Sequence, residues 1–364
     1  MADFADYYRE IYARGLGGET PSIPVSVAEL EQRAAAAMEE RAAGYVFAGA
    51  GSEGTMDANR EAFARRRIVP RMLRDVSARD LSTTVLGTEM PAPLMLAPIG
   101  VQKIVHEDGE LATARAAAAL GVPMIASTAS HFSLEEVAEA GGEGPRWFQL
   151  YWPNDRELAE SLVKRAEAAG YAAIVLTVDT FIPGWKARDL QQAWLPFLNG
   201  MGVANYFQDP VFRAGLEKSP EEDPGMATGH FLGVQANPSL TWDDLGWLRE
   251  RTSLPILVKG IQHPTTPAKR WSAASTASSS PTMAAVRSTA RSAHSMPWRR
   301  SPRRSATTSR SSSTAACAAV PTCSRRWRSA PTPSASAAPT SGAWRSRARP
   351  ASKPCSRCSS PSST

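Results

Sequence analysis

Residues 146–179 read RWFQLYWPNDRELAESLVKRAEAAGYAAIVLTVD, and their pattern decides the fold. Two short apolar runs, RWFQLY at 146–151 and AIVLTVD at 173–179, flank DRELAESLVKRAEAAG, whose apolar residues recur at helical spacing up to a glycine. Apolar runs of this length suit strands buried on both faces, and a glycine suits the end of a helix. Strand, helix and strand in this order predict a parallel βαβ unit. Outward from it, PLMLA at 93–97, VPMIAS at 122–127 and PILVK at 255–259 predict three more strands. GELATARAAAALG and SLEEVAEAG predict the helices between the earlier ones. The repeat points to an α/β fold, a (β/α)8 TIM barrel or a doubly wound sheet, with five strands complete by residue 259.

Before these units, VAELEQRAAAAMEERAA at about 27–43 predicts one surface helix capped by Ser26. The stretch from about 180 to 254, rich in Pro, Gly and aromatic residues, follows the fourth strand at the end where barrels build their sites. It predicts a long loop that serves as a lid or an oligomer contact.

Composition divides the chain at residue 264. All 35 acidic residues lie at or before Glu250, so residues 1–264 carry 24 basic side chains and a net charge of −11. Residues 265–364 carry 17 Lys or Arg, no acid, and no Leu, Ile, Phe, Tyr, Asn or Gln. Such a segment cannot bury enough apolar surface to offset chain entropy, so disorder is expected for 265–364 and a folded region for 1–264. The only cysteines, Cys317, Cys323, Cys355 and Cys358, lie in this tail. With a charged N-terminus, MADFADYYRE, and no run of about 18 apolar residues, a cytoplasmic protein without membrane contact is expected.

Polar residues close the apolar runs: Ser127, then Gln149 and Tyr151, then Thr177 and Asp179, then Lys259. The C-terminal ends of parallel barrel strands converge on one pocket, so these residues would bring donors, an acid and a cation to one ligand. One such residue is ordinarily a satisfied edge group. Repetition from strand to strand favours a site.

The stretches YVFAGAGSEGTMDANREAF (45–63), LMLAPIGVQKIVHEDGELATARAA (94–117), RWFQLYW (146–152), VLTVDTFIPGWKARD (175–189) and LPILVKGI (254–261) resemble the FMN-dependent 2-hydroxy acid oxidase family. The resemblance runs from roughly residue 25 to 263. PFLNGMGVANYFQDPVFRAG (196–215) and NPSLTWDDLGWLRERTSLPILVKGI (237–261) are most similar to the lactate 2-monooxygenases within it. The resemblance implies a TIM barrel that holds FMN, oxidises a small, lactate-like L-2-hydroxy acid with dioxygen as acceptor, and assembles as a homotetramer. It places Pro98, Ile99 and Gly100 beside the flavin ring, with Ser127, Gln149, Thr177 and Lys259 hydrogen-bonding it. Tyr45 and Tyr151 would orient the substrate's carboxylate and hydroxyl, and Asp179 would pair with a catalytic histidine.

The sequence departs from the family in two ways. Where the family has an arginine for the substrate carboxylate, GWKARD has Lys186, with Arg188 two residues on as the alternative cation. A lysine lacks the two-pronged planar contact of arginine. The larger departure is absence: neither the family's Ser-Asn-His-Gly-Gly-Arg-Gln motif, which holds the base, nor its Asp-Ser-Gly-Val-Arg-Arg-Gly phosphate segment occurs in the chain. His106, His131, His230, His263 and His294 all lie in other contexts.

Both motifs emerge when the tail is read as nucleotides. Permitted codons for SPTMAAVRSTA (280–290), regrouped one base out of frame, encode Ser-Asn-His-Gly-Gly-Arg-Gln-Val-Asp-Gly. STAACAAVPTCSRRWRSAP (313–331), regrouped in the same way, encodes Phe-Asp-Ser-Gly-Val-Arg-Arg-Gly and its continuation. Met283, Cys317, Cys323 and Trp327 constrain the match most, because their codons are few. A shift of frame near Pro264 is therefore expected, with only the first five βα units encoded in frame. The chain as written is expected to fold poorly, bind no FMN and oxidise nothing. The competing readings are a barrel scaffold without catalysis, a basic tail that binds nucleic acid, and a zinc module at CSRC (355–358), which supplies only half a ligand set.

Overall fold

The computed structural model describes residues 5–261 and the strand Ala284–Val286. All of these lie in one unit, Met1–Pro321, of the two into which the chain divides. The disorder expected for the tail, its four cysteines, His263 and His294 fall outside the described residues.

Four helices open the chain: α1 (Ala5–Gly15), α2 (Val27–Ala37), α3 (Glu40–Phe47) and α4 (Gly54–Ala64). Ser26 caps α2 as expected, its hydroxyl accepting from the Glu29 N–H at 3.5 Å. The single helix expected over 27–43 is two. Met38 turns extended (φ −83°, ψ 150°), and Glu40 then sits in the first turn of α3, where negative charge complements the helix dipole. The break also lets α3 bury Ala42 and approach a later helix.

A hairpin follows that the sequence reading did not contain, β1 (Thr83–Val85) against β2 (Thr88–Met90). Its two turn residues, Leu86 and Gly87, both have positive φ (50° and 79°), the twist a two-residue hairpin needs.

The remaining elements are α5 (Gly109–Ala119), β3 (Met124–Ser127), α6 (Leu134–Gly141), β4 (Arg146–Leu150), α7 (Arg156–Ala168), β5 (Ile174–Thr177), α8 (Ala187–Gln192), α9 (Ala204–Phe207), α10 (Pro210–Ala214), α11 (Pro224–Val234), α12 (Asp244–Arg251), β6 (Ile256–Lys259) and β7 (Ala284–Val286). Strands β3 to β7 form one parallel sheet in chain order. The strand expected at 93–97 is reduced to a parallel bridge between Leu96 and Met124. Conversely, the tail supplies a strand where none was expected: β7 pairs Lys259 with Val286.

Alternation along the strands separates two cores. Phe148, Leu150, Ile174, Leu176, Ile256 and Val258 face the helices and pack on Leu158, Leu162 and Val163 of α7. Ile125, Trp147, Val175 and Leu257 face inward, where Val85, Leu86 and Met95 plug their lower end. The Trp147 indole N–H donates to the Thr88 hydroxyl at 2.9 Å, which fixes the hairpin there.

The long stretch after β5 is not a loop. Helices α8 to α12 occupy it, and α9 to α12 pack as a layer on α6 and α7. Tyr206, Phe212 and Phe231 are buried in this layer, with the Tyr206 ring edge-on to each of the two phenylalanines. Arg165 pairs with the fully buried Asp209 at 2.9 Å, and Ser161 donates to the same carboxylate. Phe181, Ile182 and Trp185, at the start of the stretch, are exposed, as are Leu190, Leu198 and Leu232 farther along.

Candidate active site

The inward alternation that buries Trp147 and Val175 carries Ser127, Gln149, Thr177 and Lys259 to the upper end of the same face. Register aligns them: Ser127 opposes Gln149 across β3 and β4, and Thr177 opposes Lys259 across β5 and β6. The Ser127 hydroxyl donates to Gln149 Oε1 at 3.1 Å, and the Thr128 N–H reaches the same oxygen at 3.3 Å. Gln149 is thus held with its amide nitrogen turned away. Gln149 Nε2 and Thr177 Oγ1 are buried and have no hydrogen-bond partner among the described residues.

Beyond the strand ends, Asp179 pairs with Lys259 at 3.6 Å and accepts from the Thr180 hydroxyl at 3.0 Å. Gly260 permits this approach, because a Cβ there would lie 2.7 Å from Asp179, and its φ of +101° suits only glycine. Burial raises the Tyr151 phenol above its usual range, opposed by a hydrogen bond with Thr180 and reinforced by Asp179. Tyr151 and Thr177 also line a cavity of about 480 Å³ that runs outward past Phe181, Trp152 and Trp242.

The segment 98–100 reaches this rim from the bridge at Leu96. A Cβ on Gly100 would lie 2.7 Å from the Ala129 carbonyl, so only glycine lets the two loops meet. The Val101 N–H donates to that carbonyl at 2.8 Å. Ile99 stays 63% exposed and Pro98 lies beside it.

Helix α3 brings Tyr45 to the same mouth, against α8. Gly44 faces the amide end of Gln192 there, which a Cβ would have to push aside. The Lys186 ammonium lies 5.0 Å from the centre of the Tyr45 ring, and Trp194 meets that ring edge-on. Burial raises the Tyr45 phenol to about 12, with Asp189 and Tyr151 adding to the shift. Asp189 is 3.9 Å from Lys186 and is itself raised by burial, with Lys186 opposing.

Arg188, the expected alternative cation to Lys186, pairs with Glu53 at 2.6 Å, and Glu53 also accepts from the Gly49 N–H. The pair ties the loop of α8 to the start of α4. Asp189 and Thr180 were missed in the sequence. Asp189 follows Lys186 by three residues, a spacing that places both on one side of a helical turn.

None of the described histidines reaches the inner face. His106 accepts from the Asp108 N–H in a turn, His131 stacks edge-on against Phe132, and His230 packs on Phe212. Among the described residues no cluster of His, Cys, Asp and Glu could hold a metal, and no helix is long and apolar enough to cross a membrane.

Comparison with known proteins agrees with this geometry. The FMN-dependent dehydrogenase family matches over residues 34–275. The chain is 42% identical over 258 residues to an L-lactate oxidase of Lysinibacillus sphaericus, which covers 70% of this chain and 65% of that protein. It is 40% identical to human 2-hydroxyacid oxidase 1 over 65% of this chain and 63% of that one. Among solved structures, a Pediococcus acidilactici lactate oxidase superposes with a TM-score of 0.58 at 31% identity, over 66% of this chain and 61% of its own. The chain thus spans about two thirds of the length of the relatives it matches. By the extent of these matches, the chain belongs to the family of FMN-dependent dehydrogenases.

Proposed function

We propose that the chain carries the first five βα units of an FMN-dependent oxidase of small L-2-hydroxy acids, of the lactate oxidase or lactate 2-monooxygenase type. The rest of that enzyme is encoded one base out of frame beyond Pro264. The observation that carries the cofactor assignment is the pair of orphaned groups on the inner face, Gln149 Nε2 and Thr177 Oγ1. A buried polar group without a partner costs about 1–3 kcal/mol, so two on one face mark the seat of a polar ligand. A flavin ring, with N–H and C=O groups along one edge, meets Ser127, Gln149, Thr177 and Lys259 in kind. Gly100 and Ala129 close the adjoining loops without side-chain bulk. The residues present therefore fit the ring of FMN.

When bound, FMN supplies the two-electron acceptor. The chain's own residues do the rest. Lys259 places a cation beside the ring seat. Tyr45 and Tyr151, kept protonated by burial, donate to the oxygens of a 2-hydroxy acid at the mouth. Lys186, over the Tyr45 ring and only loosely paired with Asp189, offers the charge for its carboxylate, while Arg188 is held closely by Glu53. Asp179 is placed to receive the charge of an imidazolium. No histidine among the described residues stands near it and the family's histidine motif does not occur in the sequence, so the chain as written is proposed to be inactive, with dioxygen as acceptor only in the frame-restored enzyme.

Sequencing the DNA across codons 260–270 tests the frame. Restoring it is expected to give a yellow protein that consumes dioxygen with lactate, whereas the chain as written purifies colourless. An uninterrupted coding frame without the alternative reading, or a frame-restored protein without flavin, overturns the proposal.

A further inference from the structure

Glu110, in the first turn of α5, is 1% exposed, and its Oε2 is buried without a hydrogen-bond partner among the described residues. Its other oxygen joins two loops. Glu110 Oε1 accepts from the Gln102 N–H at 2.9 Å and from the His131 N–H at 3.3 Å. The first of these loops runs on from the bridge at Leu96, and the second leaves the end of β3.

A strained residue lies beside the first contact. Val101 is 1% exposed, with φ +56° and ψ 38°, the left-handed region that a β-branched side chain avoids. Such a conformation persists only where its surroundings over-determine it, and it clusters at active sites and ligand clamps. Here the surroundings can be named. The Ala129 carbonyl holds the Val101 N–H, and Glu110 holds the N–H that follows. The Gln102 side chain donates back to the Ile99 carbonyl at 3.0 Å and accepts from the Thr113 hydroxyl.

This clamp is continuous with the inner face of the sheet. The Ala129 N–H donates to Ser127 Oγ at 3.2 Å, and Ser127 donates in turn to Gln149. Gly100 lies against the same hydroxyl, which is 3.4 Å from where its Cβ would stand. The backbone of 98–100 therefore keeps its place beside Ser127 only while Val101 keeps its positive φ.

We propose that Glu110 is a positioning residue of the flavin seat: by accepting from Gln102 and His131 it holds Val101 in the left-handed conformation and fixes segment 98–100 against Ser127. The proposal rests on the reading of the inner face as the seat of FMN. Burial raises the Glu110 carboxyl, with the Gln102 and His131 N–H groups and Lys103 opposing, a shift toward the neutral acid that a Gln amide copies in size and acceptor.

Glu110→Ala and Glu110→Gln separate positioning from folding alone. By hydrogen exchange in the full 364-residue chain, Glu110→Ala is expected to speed the amides of Val101, Gln102 and His131 at least about tenfold. Those of β4 and β5 stay unchanged. In the frame-restored protein, Glu110→Ala is expected to weaken FMN binding at least about tenfold and to change the visible circular dichroism of flavin bound at saturation. Glu110→Gln is expected to restore exchange, affinity and dichroism. Gln102→Ala, which removes only the side-chain links to Ile99 and Thr113, is expected to weaken FMN in the same direction and serves where Glu110→Ala does not fold. Parent-like affinity and dichroism in these Ala variants, unchanged exchange at Val101, or a Glu110→Gln protein that behaves as Glu110→Ala each overturn the proposal and leave the flavin reading standing. A frame-restored parent without flavin overturns both.

Discussion

At the level of single residues, the site depends on close approaches that allow no extra atom. Gly260→Ala would set a Cβ 2.7 Å from Asp179 and force φ +101° on an L residue. A destabilisation of about 1–3 kcal/mol is expected, measured as a lower urea midpoint, with the Asp179–Lys259 pair displaced. Tyr45 gives a pH test. Its folded-state value, about 12, lies above the ordinary phenol value of 10.0, so the native state holds its proton longer than the unfolded chain. The stability this confers is complete below the ordinary value and is lost as pH rises from about 10 to about 12. Denaturation midpoints across that range should fall less steeply in Tyr45→Phe than in the parent; equal slopes would remove Tyr45 from the mouth's electrostatics. Ser127, Gln149, Thr177 and Lys259 could be read from sequence because strand alternation assigns their face. Lys186 and Arg188 could not be separated that way, since their roles turn on Glu53, which lies far away in sequence and meets Arg188 only in the fold.

Among elements, the layer of α9 to α12 governs the rim of the site through one residue. The fully buried Asn205 accepts from the Leu134 N–H at 2.7 Å and donates to the Ser127 and Thr128 carbonyls at 3.3 and 3.0 Å. It thereby caps the start of α6 and pins the end of β3 together. Asn205→Ala leaves three buried backbone groups short of a partner, and a loss of about 1–3 kcal/mol in unfolding free energy is expected at unchanged denaturant slope. A neutral result would mean that the layer merely rests on the sheet. The strands and helices of the βα units were legible because their apolar periods are long and regular. The hairpin was not: its strands are three residues each, and its turn uses Leu86 where an Asn-Gly signal would have announced it. The break at Met38 was hidden because Ala, Glu and Met on both sides are strong helix formers, and only the packing of α3 on α8 sets the bend.

In the molecule as a whole, burial is uneven in a way that local sequence cannot display. Residues 124–259 hold most of the core, including Trp147, Phe148, Leu162, Ile174 and Leu248 at full burial, whereas α2 and α4 bury nothing. The charge division at Pro264 was visible as composition, but the exposure of the N-terminal arm was not, because the arm reads as amphipathic whether or not it is covered. Local opening follows contact density, so the arm and the core should differ in resistance to cleavage. The strap of residues 65–82, between α4 and the hairpin, offers trypsin Arg65, Arg66, Arg67, Arg71 and Arg74, all exposed and outside regular structure apart from the end of α4. Among the described residues, limited digestion of the chain as written should therefore cut first within 65–74 and leave a fragment that retains β3 to β6. Arg146, Arg165 and Arg249, tied by hydrogen bonds to backbone carbonyls, should resist under the same conditions. Equal protection of strap and core in the chain as written would show that the exposure of the arm is not matched by local opening.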